Sequence, residues 1–305
     1  MTEDVLVLGC GVSGLTTAVC LAEAGLRVRI RTEALAERTT SAAAGAMWGP
    51  YLVEPRDRVE AWSRRTLDEL RALAGLPETG VRMVAGIEAA RQPVEEPWWG
   101  HLVPDLRRCD SEELSDPFVD GFRFTVPLVD MPAYLGYLME RFHTAGGQVD
   151  VRRLDTLTEA AREAPILVNC TGIGAHSLVP DEGVWPIRGQ LVVVENPGID
   201  EFFSEDTGLS SQLRHIYPHG STVMLGGSAD EGSWDLEPDP ETSRRIIQQC
   251  AEIDPRLRSA RVLGHRVGLR PARARVRVEE ETVGAAQRLF HNYGHGGAGV
   301  TLSWG

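Results

Sequence analysis

The chain has 305 residues, 42% hydrophobic and 25% charged, which allows two domains or one large one with ample core. Its 31 Lys and Arg against 44 Asp and Glu leave a net charge of −13, which speaks against nucleic-acid and anionic-membrane partners. Five scattered cysteines without CxxC spacing argue against zinc or a disulfide framework; no apolar run reaches about 18 residues, and the start is not basic, so a metal-free cytoplasmic protein is expected.

Residues 4–31 read as strand, glycine turn, helix, strand. Val5-Leu6-Val7-Leu8 is continuously apolar, as a strand buried on both faces requires. Helical spacing runs from Ser13 to Ala24, Gly25 closes the helix, and Val28 and Ile30 begin a second parallel strand. Between strand and helix lies Gly9-Cys10-Gly11-Val12-Ser13-Gly14. In such a turn the first glycine permits the bend, the second admits a pyrophosphate to the backbone, and the third lets helix pack on strand. The helix N-terminus offers N–H groups and partial positive charge to phosphates. Glu33, 19 residues past Gly14, is placed to accept hydrogen bonds from an adenosine ribose, and it disfavours a 2′-phosphate. A dinucleotide site follows, but this motif alone leaves FAD and NAD both open.

Further along, the small residues 39–46 leave room for something flat or bulky. Residues 56–74 read as helix, 92–130 as irregular with short strands, and 132–145 as a helix ending at Gly146-Gly147. Residues 166–170 are a buried strand, 190–194 and 222–227 belong to a sheet, 239–252 form a helix, and 262–279 are strand-like. Residues 204–214 read as a polar lid between strands, and 289–305 as a glycine-rich stretch opening a helix.

Several blocks resemble the D-amino acid oxidase family, which includes D-aspartate oxidase. They are the glycine turn, Thr40 through Tyr51, Asn169 through Gly172 with Arg188-Gly189-Gln190, and Leu225-Gly226-Gly227 with Gly232, Trp234 and Asp235. Gly268-Leu269-Arg270-Pro271 with Arg273 and Arg277, and His291 through Thr301 with Trp304-Gly305, complete the series in family order. The resemblance implies an α/β protein in which a Rossmann-like FAD-binding domain (1–52, 149–189, 262–305) is interleaved with a mixed-sheet substrate domain (53–148, 190–261). It implies FAD held by Gly9, Gly11, Val12, Ser13, Gly14, Glu33, Thr40, Ser41, Gly45, Met47, Thr171, Gly172, Arg270, Gly296, Gly297, Gly299, Val300 and Thr301.

It also implies oxidative deamination of a D-amino acid to a 2-oxo acid, ammonia and hydrogen peroxide, with dioxygen as co-substrate. Arg270 would fork onto the carboxylate and aim the Cα–H at flavin N5. The Gly297 carbonyl would face the amine, and Thr301 would reach flavin O2. His291 and His295 read as structural, as do Arg273 and Arg277. One position departs from the family: His215 stands where a carboxylate-holding tyrosine is expected, and Ser211 replaces a second tyrosine found in some members. On a strand His215 and Tyr217 share a face, so either could donate to the carboxylate. Titration of His215 would then make binding depend on pH near neutrality; a purely structural His215 is the alternative.

For the side-chain pocket, Gly49 suggests an open wall. Asp230-Glu231 stand where D-aspartate oxidases carry an arginine, which disfavours acidic substrates over neutral or basic ones unless Arg214 compensates from the lid. Asp230-Glu231 also read as a solvated turn. The loss of the tyrosine motivates one alternative, a related flavin amine oxidase acting on glycine, sarcosine or a specialised amine; a catalytically silent flavoprotein serving as a partner module and a nicotinamide dehydrogenase are the further readings. A homodimer is compatible with all of these.

Overall fold

The computed structural model describes residues 4–205, 213–283 and 287–305. The chain opens with β1 (Val5–Leu8), α1 (Val12–Glu23) and β2 (Val28–Thr32). A short helix, α2 (Thr40–Ala43), and a long one, α3 (Arg56–Leu73), lead into β3 (Val81–Ala90), β4 (Arg107–Arg108) and β5 (Asp120–Val129). Next come α4 (Met131–Thr144), β6 (Gln148–Val151), α5 (Leu157–Ala160), β7 (Ile166–Asn169) and α6 (Ala175–Leu178). Strands β8 (Trp185–Glu195), β9 (Phe202–Ser204), β10 (His215–His219), β11 (Thr222–Gly226) and β12 (Asp230–Glu231) precede α7 (Pro240–Ile253). The chain closes with β13 (Val262–Ala272), β14 (Arg277–Val283) and β15 (Gln287–Tyr293).

Two sheets organise these elements. A six-stranded sheet runs β14-β15-β7-β1-β2-β6, parallel except for the β14–β15 hairpin. Strand β1 sits between β2 and β7, which explains its unbroken apolar run. Helix α1 covers it with Val12, Leu15, Ala18, Val19 and Ala22, in one core with Tyr134, Leu135, Leu138 and Phe142 of α4. Each fully buried Val, Leu or Phe among them contributes roughly 1.5–3 kcal/mol.

The nine-stranded second sheet runs β12-β8-β11-β10-β9-β3-β5-β4, with β13 on β8, and is antiparallel except at β3–β9. Its strands alternate. Val192, Val194, Ile216, Val223 and Leu225 pack on Ile246, Cys250 and Ala251 of α7, while Leu191, Tyr217 and Met224 enter the core shared with the first sheet.

Several expectations about local structure change. Residues 120–129, expected within an irregular stretch, form a ten-residue strand, and β3, which the sequence reading passed over, is its ten-residue partner. The strand-like stretch 262–279 is two strands in two sheets. Its first part, β13, pairs along its length with β8 of the second sheet, and its second part, β14, pairs with β15 of the first. Residues 299–304 are turns rather than a helix. Asp230-Glu231 form a two-residue strand on β8, exposed, with Asp230 accepting from Arg188 at 3.0 Å. Most of the 204–214 segment expected as a lid, Ser211 included, lies outside the described residues.

Candidate active site

The glycine turn is built as its sequence requires. A Cβ on Gly9, which has φ +99°, would lie 2.5 Å from the Cys170 carbonyl oxygen, and one on Gly14 would overlap the Gly9 carbonyl. Both therefore hold β1, α1 and the end of β7 in contact. Gly11 is the N-cap of α1, without a side-chain cap, and the first turn of the helix carries no acid. The amides of Ser13 and Gly14 have no intrahelical acceptor at these positions. Ser41 Oγ accepts the Val12 N–H at 3.0 Å, which brings α2 to the turn. Thr40 Oγ1 donates to the Leu269 carbonyl at 3.2 Å, tying α2 to β13. Glu33 is exposed just past the end of β2. At the end of β7, Thr171 donates to Asn169 Oδ1 at 2.7 Å, and Gly172 takes φ +55° with its Cβ direction toward Pro271.

The C-terminal glycine loop folds back onto both ends of this arrangement. The Gly296 amide donates to the Pro271 carbonyl at 2.9 Å. A Cβ on Gly297 would meet only Arg270 Cδ, at 3.8 Å, and one on Gly299 would meet Val12 Cγ1 and His295 Cβ at 3.9 and 4.0 Å. Val300 shares the Val12 core, and Met47 bridges to Leu128. Thr301, expected to reach flavin O2, donates its hydroxyl hydrogen to the Gly49 carbonyl at 3.0 Å and accepts the Gly49 amide at 3.1 Å. In this geometry its donor is committed to Gly49.

Strand register places the remaining candidates on one face of the second sheet. His215 pairs with Gly226, Gly226 with Leu191 and Leu191 with Arg266, while Gly189 pairs with Gly268 and Ile187 with Arg270. By alternation, His215, Tyr217, Gly226, Gly189, Gly268 and Arg270 therefore look the same way. That face meets α2 and the residues after it. A Cβ on Gly45 would lie 3.2 Å from Tyr217 Cδ2 and 3.5 Å from His215 Nε2, and one on Gly268 would lie 3.2 Å from Ala43 Cβ and Thr40 Cγ2.

Two glycines form the floor. A Cβ on Gly226 would overlap the His215 imidazole, and one on Gly189 would come within 2.5 Å of Arg270 Nη1. Family resemblance marks both glycines without giving them a role; glycine inside a strand is the signal that another group lies flat on the backbone. Arg270 also donates from Nη1 to the Ser228 carbonyl at 3.1 Å, a contact that only the fold reveals.

His215 is buried, and its ring stacks on Tyr217 with centroids 4.5 Å apart at 19°. Burial, then the charge of Arg270, lowers its pKa from 6.5 to about 3, against a hydrogen bond to the Leu213 backbone that raises it. The expected titration near neutrality is thus replaced by an imidazole that stays neutral. Its Nε2 is buried with no hydrogen-bond partner among the described residues. Such a group costs about 1–3 kcal/mol and calls for a functional explanation.

Arg214 is buried and paired with Glu205 at 3.4 Å and Glu252 at 3.2 Å. His291 lies between Asn169 Nδ2 and Glu281 Oε2, each at 3.3 Å, and His295 Nε2 is 3.0 Å from Asn292 Oδ1. Arg273 pairs with Asp181 at 3.1 Å, and Arg277 donates to the Tyr293 hydroxyl at 2.6 Å. All four have protein partners: His291 links β15 to β7 and β14, Arg277 links β14 to β15, Arg273 reaches the loop after α6, and His295 holds the C-terminal loop to β15. Among the described residues no cluster could hold a metal ion, and no helix is long and apolar enough to cross a membrane.

The residues present fit a bound FAD. The N-terminus of α1 carries no acid and spends only its Val12 amide on Ser41, and Gly297 and Gly299 present bare backbone beside Arg270 and Val12, where a Cβ would make contacts at 3.8–4.0 Å.

Comparison with known proteins agrees. A family model described as FAD dependent oxidoreductase (DAO) matches residues 4–305, and the chain belongs to that family. Over 301 residues it is 46% identical to a D-amino-acid oxidase of Rubrobacter xylanophilus, covering 98% of this chain and 92% of that protein. It is 48% identical over 305 residues to a D-amino-acid oxidase of Streptomyces coelicolor, covering 99% and 93%. A human D-aspartate oxidase is 36% identical, covering 100% and 92%. The fold is shared with the glycine oxidase structure from Geobacillus kaustophilus, at a TM-score of 0.81 and 20% identity, covering 99% and 91% of the two chains.

Proposed function

We propose that this chain oxidises D-amino acids, neutral or basic in preference to acidic, to 2-oxo acids and ammonia. FAD bound here would supply the two-electron acceptor for the substrate, with dioxygen as the final acceptor and hydrogen peroxide as its product. The residues that would hold it are the turn Gly9, Gly11, Val12, Ser13 and Gly14, Glu33 at the ribose, and Thr40, Ser41, Gly45 and Met47 along one side. Thr171, Gly172, Arg270, Gly296, Gly297, Gly299, Val300 and Thr301 would complete the enclosure. An FAD-binding unit centred on the first sheet and a substrate unit centred on the second belong to the same reading, with β13 lending Arg270 from the second sheet. A cytoplasmic location and a homodimer are compatible with it.

The observation that carries the reading is the meeting of Arg270 and Gly297, 3.8 Å from guanidinium stem to Cβ direction, on the face shared by His215 and Tyr217. A guanidinium matches a carboxylate with two parallel hydrogen bonds. The carbonyl of Gly297 would accept from the amine, and the pair would fix the Cα between them. Positioning then supplies most of the rate. The preference against acidic side chains follows from Arg214 being held by Glu205 and Glu252, with exposed Asp230 and Glu231 at the edge of the same sheet.

The test is a panel of D-amino acids, with glycine and sarcosine, offered to the purified holoenzyme with peroxide as readout. Turnover of neutral D-amino acids above D-aspartate and D-glutamate is expected. Turnover confined to glycine or sarcosine would overturn the reading.

A further inference from the structure

The ring of His215 is held on three sides: Tyr217 stacks on one face, Gly226 lies beneath it, and Gly45 approaches Nε2. The hydrogen bond with the Leu213 backbone raises the pKa of the ring, so the ring donates to a carbonyl there. Since Nε2 has no partner among the described residues, Nδ1 is the donor. A neutral imidazole carries one N–H. With that hydrogen on Nδ1, Nε2 presents a lone pair and can only accept. The tyrosine that the family resemblance leads one to expect at this position can donate to a carboxylate, whereas a carboxylate and an acceptor nitrogen have no hydrogen to share. A second proton on the ring is opposed by burial and by the nearby Arg270 charge.

We propose that His215 Nε2 accepts a hydrogen bond from the substrate's α-amino group, making His215 a residue that positions the amine rather than the carboxylate. This rests on the D-amino acid reading of the site. The complement is chemical. An α-amino acid presents N–H donors two bonds from its carboxylate, and Arg270, which takes the carboxylate, shares the sheet face with His215. A neutral primary amine has two hydrogens. With Gly297 accepting one and His215 the other, its lone pair stays free to align with the breaking Cα–H bond and to become the C=N bond of the imine. Replacing tyrosine by histidine thus moves one hydrogen bond from the acid end of the substrate to the amine end, and leaves carboxylate recognition to Arg270.

The experiment compares D-phenylalanine with 3-phenylpropanoate, the same skeleton without the amine, in wild-type holoenzyme and in the His215→Phe and His215→Gln variants. Turnover is followed by peroxide, and probe binding by the change in the visible flavin spectrum. The spectrum also reports whether each variant retains its cofactor. We expect His215→Phe to lower kcat/KM for D-phenylalanine by about tenfold or more while moving the dissociation constant of 3-phenylpropanoate by less than about twofold. His215→Gln, whose amide oxygen can accept, should recover part of the lost rate. If His215→Phe weakens the amine-free acid as much as the amino acid, His215 holds the carboxylate and the proposal fails. If it changes neither, His215 is structural and the proposal also fails. A wild-type holoenzyme that oxidises no D-amino acid in the panel overturns the functional reading itself, and this proposal with it.

Discussion

His215 and Tyr217 stack face to face, 4.5 Å between ring centroids, on the sheet face that also carries Arg270. The stack fixes the plane of the imidazole, Gly226 lies under it, and burial keeps it neutral. The consequences can be measured.

Arg270→Ala removes the charged group placed for the carboxylate. Loss of one partner of a desolvated charge pair costs about 2–5 kcal/mol, so kcat/KM for D-amino acids should fall by roughly 30- to several-thousand-fold. Arg270→Lys should restore only part of this, because an ammonium cannot fork. Steady-state kinetics on FAD-loaded variants decide it; wild-type rates in Arg270→Ala would remove Arg270 from substrate binding.

Gly226→Ala should displace the imidazole, since the new methyl overlaps the ring. Overpacking of this kind costs about 1–3 kcal/mol of stability. Activity should drop further, because the ring is forced off its position. In the double variant with His215→Ala the stability cost should shrink, which a denaturation double-mutant cycle measures. An additive result would mean that Gly226 does not serve the histidine.

Buried histidines set an acid limit. His215 is lowered to about 3 and His295 to about 4, both from 6.5 and chiefly by burial. Between 6.5 and those values the unfolded chain binds protons that the folded one refuses. Their contribution to stability is therefore complete above pH 6.5 and is lost as pH falls toward 4 and then 3, by up to about 3 kcal/mol per pH unit for the pair. Urea midpoints measured from pH 7 to pH 4.5 should fall, and His295→Asn should flatten the slope. An inflexion in kcat/KM near pH 6.5 that vanishes in His215→Phe would contradict a neutral His215.

Glu33→Gln tests the ribose contact. Loss of a charged acceptor should weaken FAD binding by about 1.5–3 kcal/mol, roughly 10- to 150-fold in dissociation constant. Titration of apoprotein with FAD by fluorescence measures this, and an unchanged affinity would place the ribose elsewhere. Glu33 is exposed, so folding stability should hardly change.

The sequence by itself determined what depends on local geometry. The turn Gly9–Gly14 specifies its own fold, because a Cβ at Gly9 or Gly14 meets backbone a few residues away or across one strand pair. The helices at 56–74, 132–145 and 239–252 follow from periodicity and match α3, α4 and α7 within a few residues. Arg270 could be singled out from its neighbours in the chain. Only the tertiary structure decided what depends on distant packing. Strand β13 lies in the second sheet because its partner is β8, some 80 residues earlier, and no pattern within 262–272 names that partner. Arg214 is turned away by Glu205 and Glu252. His215 was visible as a departure from the family, but its charge was not. Protonation of an imidazole is set by the water it loses and the charges it meets, and both come from residues that the fold, not the chain, brings beside it.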